Sequence, residues 1–291
     1  MWPEYSLNLK SYNGICPETR VHCKFILGLS KGVRNRALYL DVYNYVPMEK
    51  TMKNPNGPYP GRQLFLGATA KGRPAFAYLV TGRSPASRER KGTSAENSVI
   101  MGPVGNEAYD WLRHYTAIKY DNSIGLMTVS NGIQTEAIFE MYRLLYHTGT
   151  RPDKEHMGMI MTGAKYEPDS LHTPRIAGLV MNTADDAAPV YVIGIITDAP
   201  PARVYEITPE PGTLTAISTY RGDLANPVPF NIEGKLPVIE LPVETPEDIA
   251  DYIYGISEAA YQGDDIRVCS VGGVCSGDNL TWKLAIVNRH K

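Results

Sequence analysis

The chain has 291 residues, 43% of them hydrophobic and 21% charged, which suffices for one large domain or two ordinary ones with an ample core. A formal net charge of -2 excludes the strong basic excess of a general nucleic-acid binder, although a pocket for a small anion needs only local positive charge. No apolar run approaches a membrane span, and the opening Met1-Trp-Pro-Glu-Tyr-Ser6 lacks the basic region and apolar stretch of a secretory signal, so a cytoplasmic protein is expected.

Residues 1–57 read as an N-terminal extension, either packed on the main domain or lying upstream of the true start. They carry Cys16, Cys23 and the mildly basic Lys31-Gly-Val-Arg-Asn-Arg36, and Ala37 to Tyr43 alternates like a strand. The turn-rich Lys53-Asn-Pro-Asn-Gly-Pro58 closes them. The main domain is expected over 58–291. Gln63–Gly67 and Ala75–Val80 form a hairpin, and His114–Tyr120 with Ile124–Val129 a second one. Both are nearly continuous apolar runs, as in a sheet covered on both faces. Thr135 reads as the N-cap of a helix ending near Gly149, and Pro152-Asp153 as the start of another. Strands follow at Ile176–Met181, Val190–Thr197, Val204–Ile207 and Leu214–Thr219. A helix starts at Thr245-Pro-Glu-Asp248 and is expected to run to Tyr261, and Thr281–Val287 is the last strand. The glycine-rich Val271-Gly-Gly-Val-Cys-Ser-Gly277 reads as a turn. This order implies an α+β fold of antiparallel sheets with helices packed outside.

The six histidines are scattered, with no His-x-x-x-His or Cys-x-x-Cys pair, so no metal site is expected. With Cys269 and Cys275 there are four cysteines, whose spacing fits no zinc pattern; reduced thiols are expected. Neither a phosphate-binding glycine loop nor the Gly-x-Ser-x-Gly of a serine hydrolase occurs. Ser84, Ser130 and Ser218 sit in polar turns without an evident histidine partner, and His114 and His172 are weak candidates for bases. The arginines are the stronger signal. Tyr59-Pro-Gly-Arg62, Thr81-Gly-Arg-Ser-Pro-Ala-Ser-Arg88, His172-Thr-Pro-Arg-Ile-Ala-Gly178 and Ser218-Thr-Tyr-Arg-Gly-Asp223 each set arginine in a small, turn-forming context. One such arginine is an ordinary surface charge. Several fixed by turns can converge on a phosphate or carboxylate, which a guanidinium grips with two parallel hydrogen bonds.

In this order, Tyr59-Pro-Gly-Arg62, Gly82 to Arg88, Tyr115-Thr116, Val129-Ser-Asn-Gly132, Tyr166-Glu167, Thr173 to Gly178 and Ser218-Thr-Tyr220 resemble the archaeal-type IMP cyclohydrolase family over about residues 58–225. The resemblance implies an Ntn-hydrolase-like fold, a four-layer αββα sandwich with antiparallel sheets. It implies closure of a formylated aminoimidazole carboxamide ribonucleotide to IMP and water, without a cofactor. On this basis Arg62, Arg83 and Arg175 would hold phosphate and polar groups, with Ser84 and Thr116 beside them. Arg88 and Tyr115 would polarise the formyl oxygen, Glu167 would handle the carboxamide proton, and Asn131 and Thr173 would orient the heterocycle. The partner would be a purine nucleotide, with no nucleic acid or membrane; a homo-oligomer is left open. Family members tend to have His-Thr-Asp where this chain has Gln134-Thr-Glu136, and Asn where it has His172. An Ntn-fold amide hydrolase and a nucleotide-binding paralogue without the activity are the alternatives.

Overall fold

A computed structural model describes residues 12–15, 22–25, 57, 59–181, 188–231, 235–276 and 280–290. The chain divides into two units, 1–50 and 51–291. In the first, β1 (Tyr12–Ile15) and β2 (His22–Phe25) pair as an antiparallel ribbon. The strand expected at Ala37 to Tyr43, the Lys31 to Arg36 stretch, most of the Lys53 to Pro58 turn and the side chains of Cys16 and Cys23 lie outside the described residues.

The second unit begins with β3 (Arg62–Ala68), β4 (Pro74–Thr81), α1 (Pro85–Arg88), β5 (Arg90–Ala95), β6 (Ser98–Pro103), β7 (Tyr115–Asp121) and β8 (Leu126–Ser130). Next come α2 (Gln134–His147), α3 (Lys154–Ala164), β9 (Arg175–Met181), β10 (Val190–Ile196), β11 (Arg203–Ile207) and β12 (Thr213–Ser218). Then follow β13 (Tyr220–Arg221), β14 (Val228–Pro229), β15 (Val238–Glu240), α4 (Pro246–Ile256), β16 (Ala260–Tyr261), β17 (Asp264–Asp265), β18 (Arg267–Ser276) and β19 (Thr281–Asn288). A seven-stranded sheet has the order β11-β10-β9-β8-β7-β6-β5, and a six-stranded sheet the order β15-β12-β3-β4-β18-β19. The pairings within both are antiparallel. The chain is thus α+β, as expected.

Why the strands read as unbroken apolar runs is visible in β4. Phe76, Tyr78 and Val80 enter the core shared with the other sheet, whereas Ala75, Ala77 and Leu79 pack with Ile249, Ile253 and Ile256 of α4. In β9, Ile176 and Val180 face the shared core, while Ala177, Leu179 and Met181 meet Ile138, Tyr142, Met157 and Met161 of α2 and α3. Strict alternation puts half of each strand on each face, and both faces are covered.

Four expectations change. Thr135 is not an N-cap: α2 starts at Gln134, and the Thr135 hydroxyl donates back to the Gly132 carbonyl at 3.0 Å. The helix expected to reach Tyr261 stops at Ile256 with Ser257 as its C-cap, and Ala260–Tyr261 is instead β16, which Gln262 and Gly263, both at positive φ, turn into β17. Strands β5 and β6 were not expected: β5, the edge of its sheet, carries the polar Thr93 and Ser94, and the apolar part of β6 is only Val99 to Met101. The stretch read as a turn at Val271 is the ten-residue β18, paired with β4 and β19. Its glycines serve close packing. A Cβ on Gly272 would lie 2.3 Å from the Pro246 carbonyl oxygen, and one on Gly273 2.1 Å from the Phe76 ring.

Cys269 and Cys275 are buried, and burial pushes the Cys269 thiol up to about 12. Among the described residues no helix is long and apolar enough to cross a membrane, and no group of three or more histidine, cysteine or acidic side chains is placed to hold a metal.

Candidate active site

Antiparallel order sends the starts of β3, β5, β7, β9 and β18 and the ends of β4, β8, β10 and β12 to one end of the paired sheets. The arginine-bearing turns of the sequence join these strand ends, so the topology gathers them. Arg62 opens β3, Tyr115 opens β7, Asn131 follows β8, and Arg175 opens β9. Glu167 and Thr173 lie between α3 and β9, fastened to each other by Glu167 N–H donating to the Thr173 carbonyl at 2.9 Å.

Glu167 is the centre. It is 2% exposed, yet its Oε1 accepts from Arg62 Nη2 at 2.5 Å and from Asn131 Nδ2 at 3.2 Å, and lies 3.9 Å from Arg175 Nη1. Burial pushes this carboxyl above its usual range, against the pull of the two guanidiniums. Burial also opposes charge on Arg62, but Glu167 and the hydroxyls of Tyr115, Tyr78 and Tyr220 more than offset it and hold that guanidinium charged. Arg175 differs. It is 2% exposed, and burial lowers its affinity for its proton despite Glu167. Its Nη1 donates to Gln134 Oε1 at a long 3.3 Å, and among the described residues its Nε finds no partner, nor does Arg62 Nε. Two guanidiniums share one contacting carboxylate, with Asp169 the further negative charge acting on Arg175. An arginine this poorly satisfied is costly unless an anion completes it.

The space around Arg175 is deliberate at Gly132, where a Cβ would stand 2.2 Å from Arg175 Nη1. The Trp111 ring covers the guanidinium at 5.9 Å from its centroid and is 42% exposed. On the other side, the hydroxyls of Tyr78 and Tyr115 meet at 2.8 Å across the two sheets. Burial pushes both up, against the pull of Arg62 and of Arg90, so both remain protonated and able to donate. Tyr220, pushed up to about 12 by burial, is hydrogen-bonded to the Thr173 hydroxyl and stacks on Tyr59 at 5.6 Å.

Of the residues singled out in the sequence, the structure brings together Arg62, Tyr115, Asn131, Glu167, Thr173 and Arg175. It does not bring the others into this hydrogen-bonded cluster. Arg88 donates to the carbonyls of Gly82 and Arg83 and to Asp264 Oδ2 at 2.8 Å. Arg83 donates to the carbonyls of Leu224 and Ala225 and lies 5.9 Å from the centroid of Tyr59. Ser84 caps α1 by accepting from the Ser87 N–H. Thr116 follows Tyr115 in β7, so alternation turns it to the opposite face, and it is half-buried. His172 is exposed, 3.6 Å from Asp198. Ser130 and Ser218 are buried and bonded to Thr135 and to the Tyr220 carbonyl.

Tyr78, Arg90 and Trp111 were not picked out, and Gln134 was noted only as a departure from the family's histidine. Tyr78 and Gln134 sit inside an ordinary apolar strand and a helix start. Arg90 stands in a run of four charges, Arg88 to Lys91, which reads as a solvated face but is 2% exposed at this position. No local pattern distinguishes them; only the packing does.

The model of the family described as IMP cyclohydrolase-like protein matches residues 59–279, which contain every residue of this cluster. The chain belongs to that family. Over 225 residues it is 30% identical to a protein named IMP cyclohydrolase from Methanocaldococcus jannaschii, covering 74% of this chain and 99% of that one. A protein of the same name from Methanococcus aeolicus is 25% identical over 225 residues, 76% of this chain and 97% of its own. The IMP cyclohydrolase of Methanococcus maripaludis strain S2 is 29% identical over 163 residues, 56% and 74% of the two chains.

Proposed function

We propose that this chain is an IMP cyclohydrolase, closing 5-formamido-1-(5-phosphoribosyl)imidazole-4-carboxamide to IMP. The observation that carries the reading is the buried, under-satisfied Arg175 beside Arg62 and Glu167, in a chain whose family members carry that name. The fold reading that goes with it is Ntn-hydrolase-like, supported by α2 and α3 on the outer face of one sheet and α4 on the outer face of the other.

The chemistry needs little beyond placement. The carboxamide nitrogen attacks the formyl carbon of the same molecule, forming a C–N bond, and the nitrogen gives up a proton. The former formyl oxygen takes up that proton and a second one from the formamido N–H; the C–O bond breaks as the formamido nitrogen forms a C=N bond, and the oxygen departs as water. Because both reactants are on one ring, holding them face to face contributes an effective concentration of about 10⁵ M or more. Arg175, with Arg62 beside it, takes the anionic oxygen of the ligand. Tyr115, kept protonated, donates to the formyl oxygen as charge develops there. Glu167, its carboxyl raised by burial, accepts the carboxamide proton. Asn131 and Thr173 orient the ring. Substrate contacts by Arg83 and Arg88 have no support in the geometry, since the donors described for each are engaged by carbonyls and by Asp264.

An absorbance assay for IMP formation from the formylated ribonucleotide, run with chelator, tests the reading. Turnover is the expected result; IMP binding without turnover would leave a nucleotide-binding paralogue instead. Trp111 supplies a second signal. Of the three tryptophans, Trp282 is buried in the core, whereas Trp111 covers Arg175. IMP should change the intrinsic fluorescence of the wild type and leave that of Trp111→Phe nearly unchanged. An equal change in both would move the ligand away from Arg175.

A further inference from the structure

We propose that Gln134 is the positioning residue of this site: its side-chain amide aims Arg175 at the ligand and, through Asn131, holds Glu167 in line. The inference rests on the reading just given.

Gln134 is 1% exposed and stands at the first turn of α2. Its Oε1 accepts from Arg175 Nη1 at 3.3 Å, and its Nε2 donates to Asn131 Oδ1 at 3.0 Å and to the Ile176 carbonyl at 3.2 Å. Asn131 Oδ1 also accepts the Ile176 N–H at 2.8 Å. Its Nδ2 donates to the Pro174 carbonyl at 2.9 Å and to Glu167 Oε1 at 3.2 Å. Glu167 Oε1 in turn faces Arg175 Nη1 at 3.9 Å, an ion-pair contact that closes into a ring the chain of hydrogen bonds from Arg175 through Gln134 and Asn131 to Glu167. The polarity of the ring is forced by its members. A guanidinium only donates, so the amide oxygen of Gln134 must face it; a carbonyl only accepts, so the amide nitrogen must face Ile176. Both amides are therefore fixed by their partners, and neither can turn without leaving a buried polar atom unpaired.

The role demands one acceptor and at least one donor in the same side chain. Leucine offers neither. Neutral histidine offers one of each, and protonated histidine offers only donors, with a second positive charge against Arg175. The histidine variant thus carries a signature that a merely space-filling Gln134 would not produce.

IMP affinity by calorimetry and the pH dependence of turnover are compared for the wild type, Gln134→Leu and Gln134→His. Gln134→Leu should bind IMP at least tenfold more weakly, with an unchanged circular dichroism spectrum. Gln134→His should keep most of the wild-type affinity at pH 8. Beyond the acid limb that Glu167 gives the wild type, it should show an added loss of affinity and rate as pH falls below about 6.5, burial beside Arg175 placing that loss at or below the ordinary histidine value. If the wild type turns over and both variants match its affinity and pH profile, the positioning role is wrong and the cyclohydrolase reading stands. If the wild type binds IMP without turnover, the affinity arm decides alone. A wild type that binds no IMP overturns both.

Discussion

Replacing Glu167 by glutamine is expected to stop turnover while IMP binding survives or tightens. The substitution keeps shape and removes the one carboxylate that Arg62 and Arg175 share. Loss of a positioned proton acceptor costs about 10²–10⁴-fold in rate. The two guanidiniums then lie buried without a counter-charge, which destabilises the free protein, by roughly 3–5 kcal/mol where such a pair is broken. An anionic ligand should relieve that cost, so the variant's melting temperature should rise more on adding IMP than the wild type's. Wild-type turnover in Glu167→Gln would remove the carboxylate from the mechanism. The wild-type pH profile carries the same information. The raised pKa means that Glu167 becomes protonated as pH falls through a value above the ordinary 4.5, so the acid limb of kcat/KM should lie above that point. Arg175→Met, by removing a neighbouring positive charge, should move the limb to higher pH.

The second large effect concerns the core. Gly273→Val should lower the melting temperature by roughly 2–12 °C, because overpacking a filled core costs about 1–3 kcal/mol and a domain of this size loses about 2–4 °C per kcal/mol. The clash is specific. The new Cβ would meet Phe76 Cε1 at 2.1 Å and Cζ at 2.7 Å, and Phe76 is fully buried and edge-on to Trp282 at 5.6 Å. Phe76 has no room to yield. Phe76→Leu in the same chain should restore part of the loss, since the two changes act on one volume. Additive destabilisation in the double variant would place the strain elsewhere.

Much of this was legible in the chain. Apolar runs such as Ala75 to Val80 announced buried strands, and Asp153 and Thr245 announced helix starts that the structure keeps. Arg62 and Arg175 could be named because turn residues flank them at strand ends, and Asn131 and Glu167 through the family resemblance. What escaped has a common cause. Gly272 and Gly273 looked like a turn, because a glycine required by a neighbour's bulk is indistinguishable in sequence from one required by its own backbone. Arg83 and Arg88 shared the flanking pattern of Arg62 and Arg175, yet their partners, the carbonyls of residues 224–225 and Asp264, lie far along the chain. Tyr78 belongs to a strand whose local pattern is fully accounted for by folding, and Gln134 stood out only as a departure from the family's histidine, with nothing local to show what it touches.

Arg62 springs from the six-stranded sheet, and Glu167 with Arg175 from the approach to the seven-stranded one, so these buried charges straddle a seam rather than sit on a single platform. Sliding one sheet by a fraction of a residue would pull acid and base apart without breaking a single ladder. A nucleotide lodged there acts as a dowel between two planks, and amide hydrogen exchange in β3 and β9 should slow in concert when it is seated.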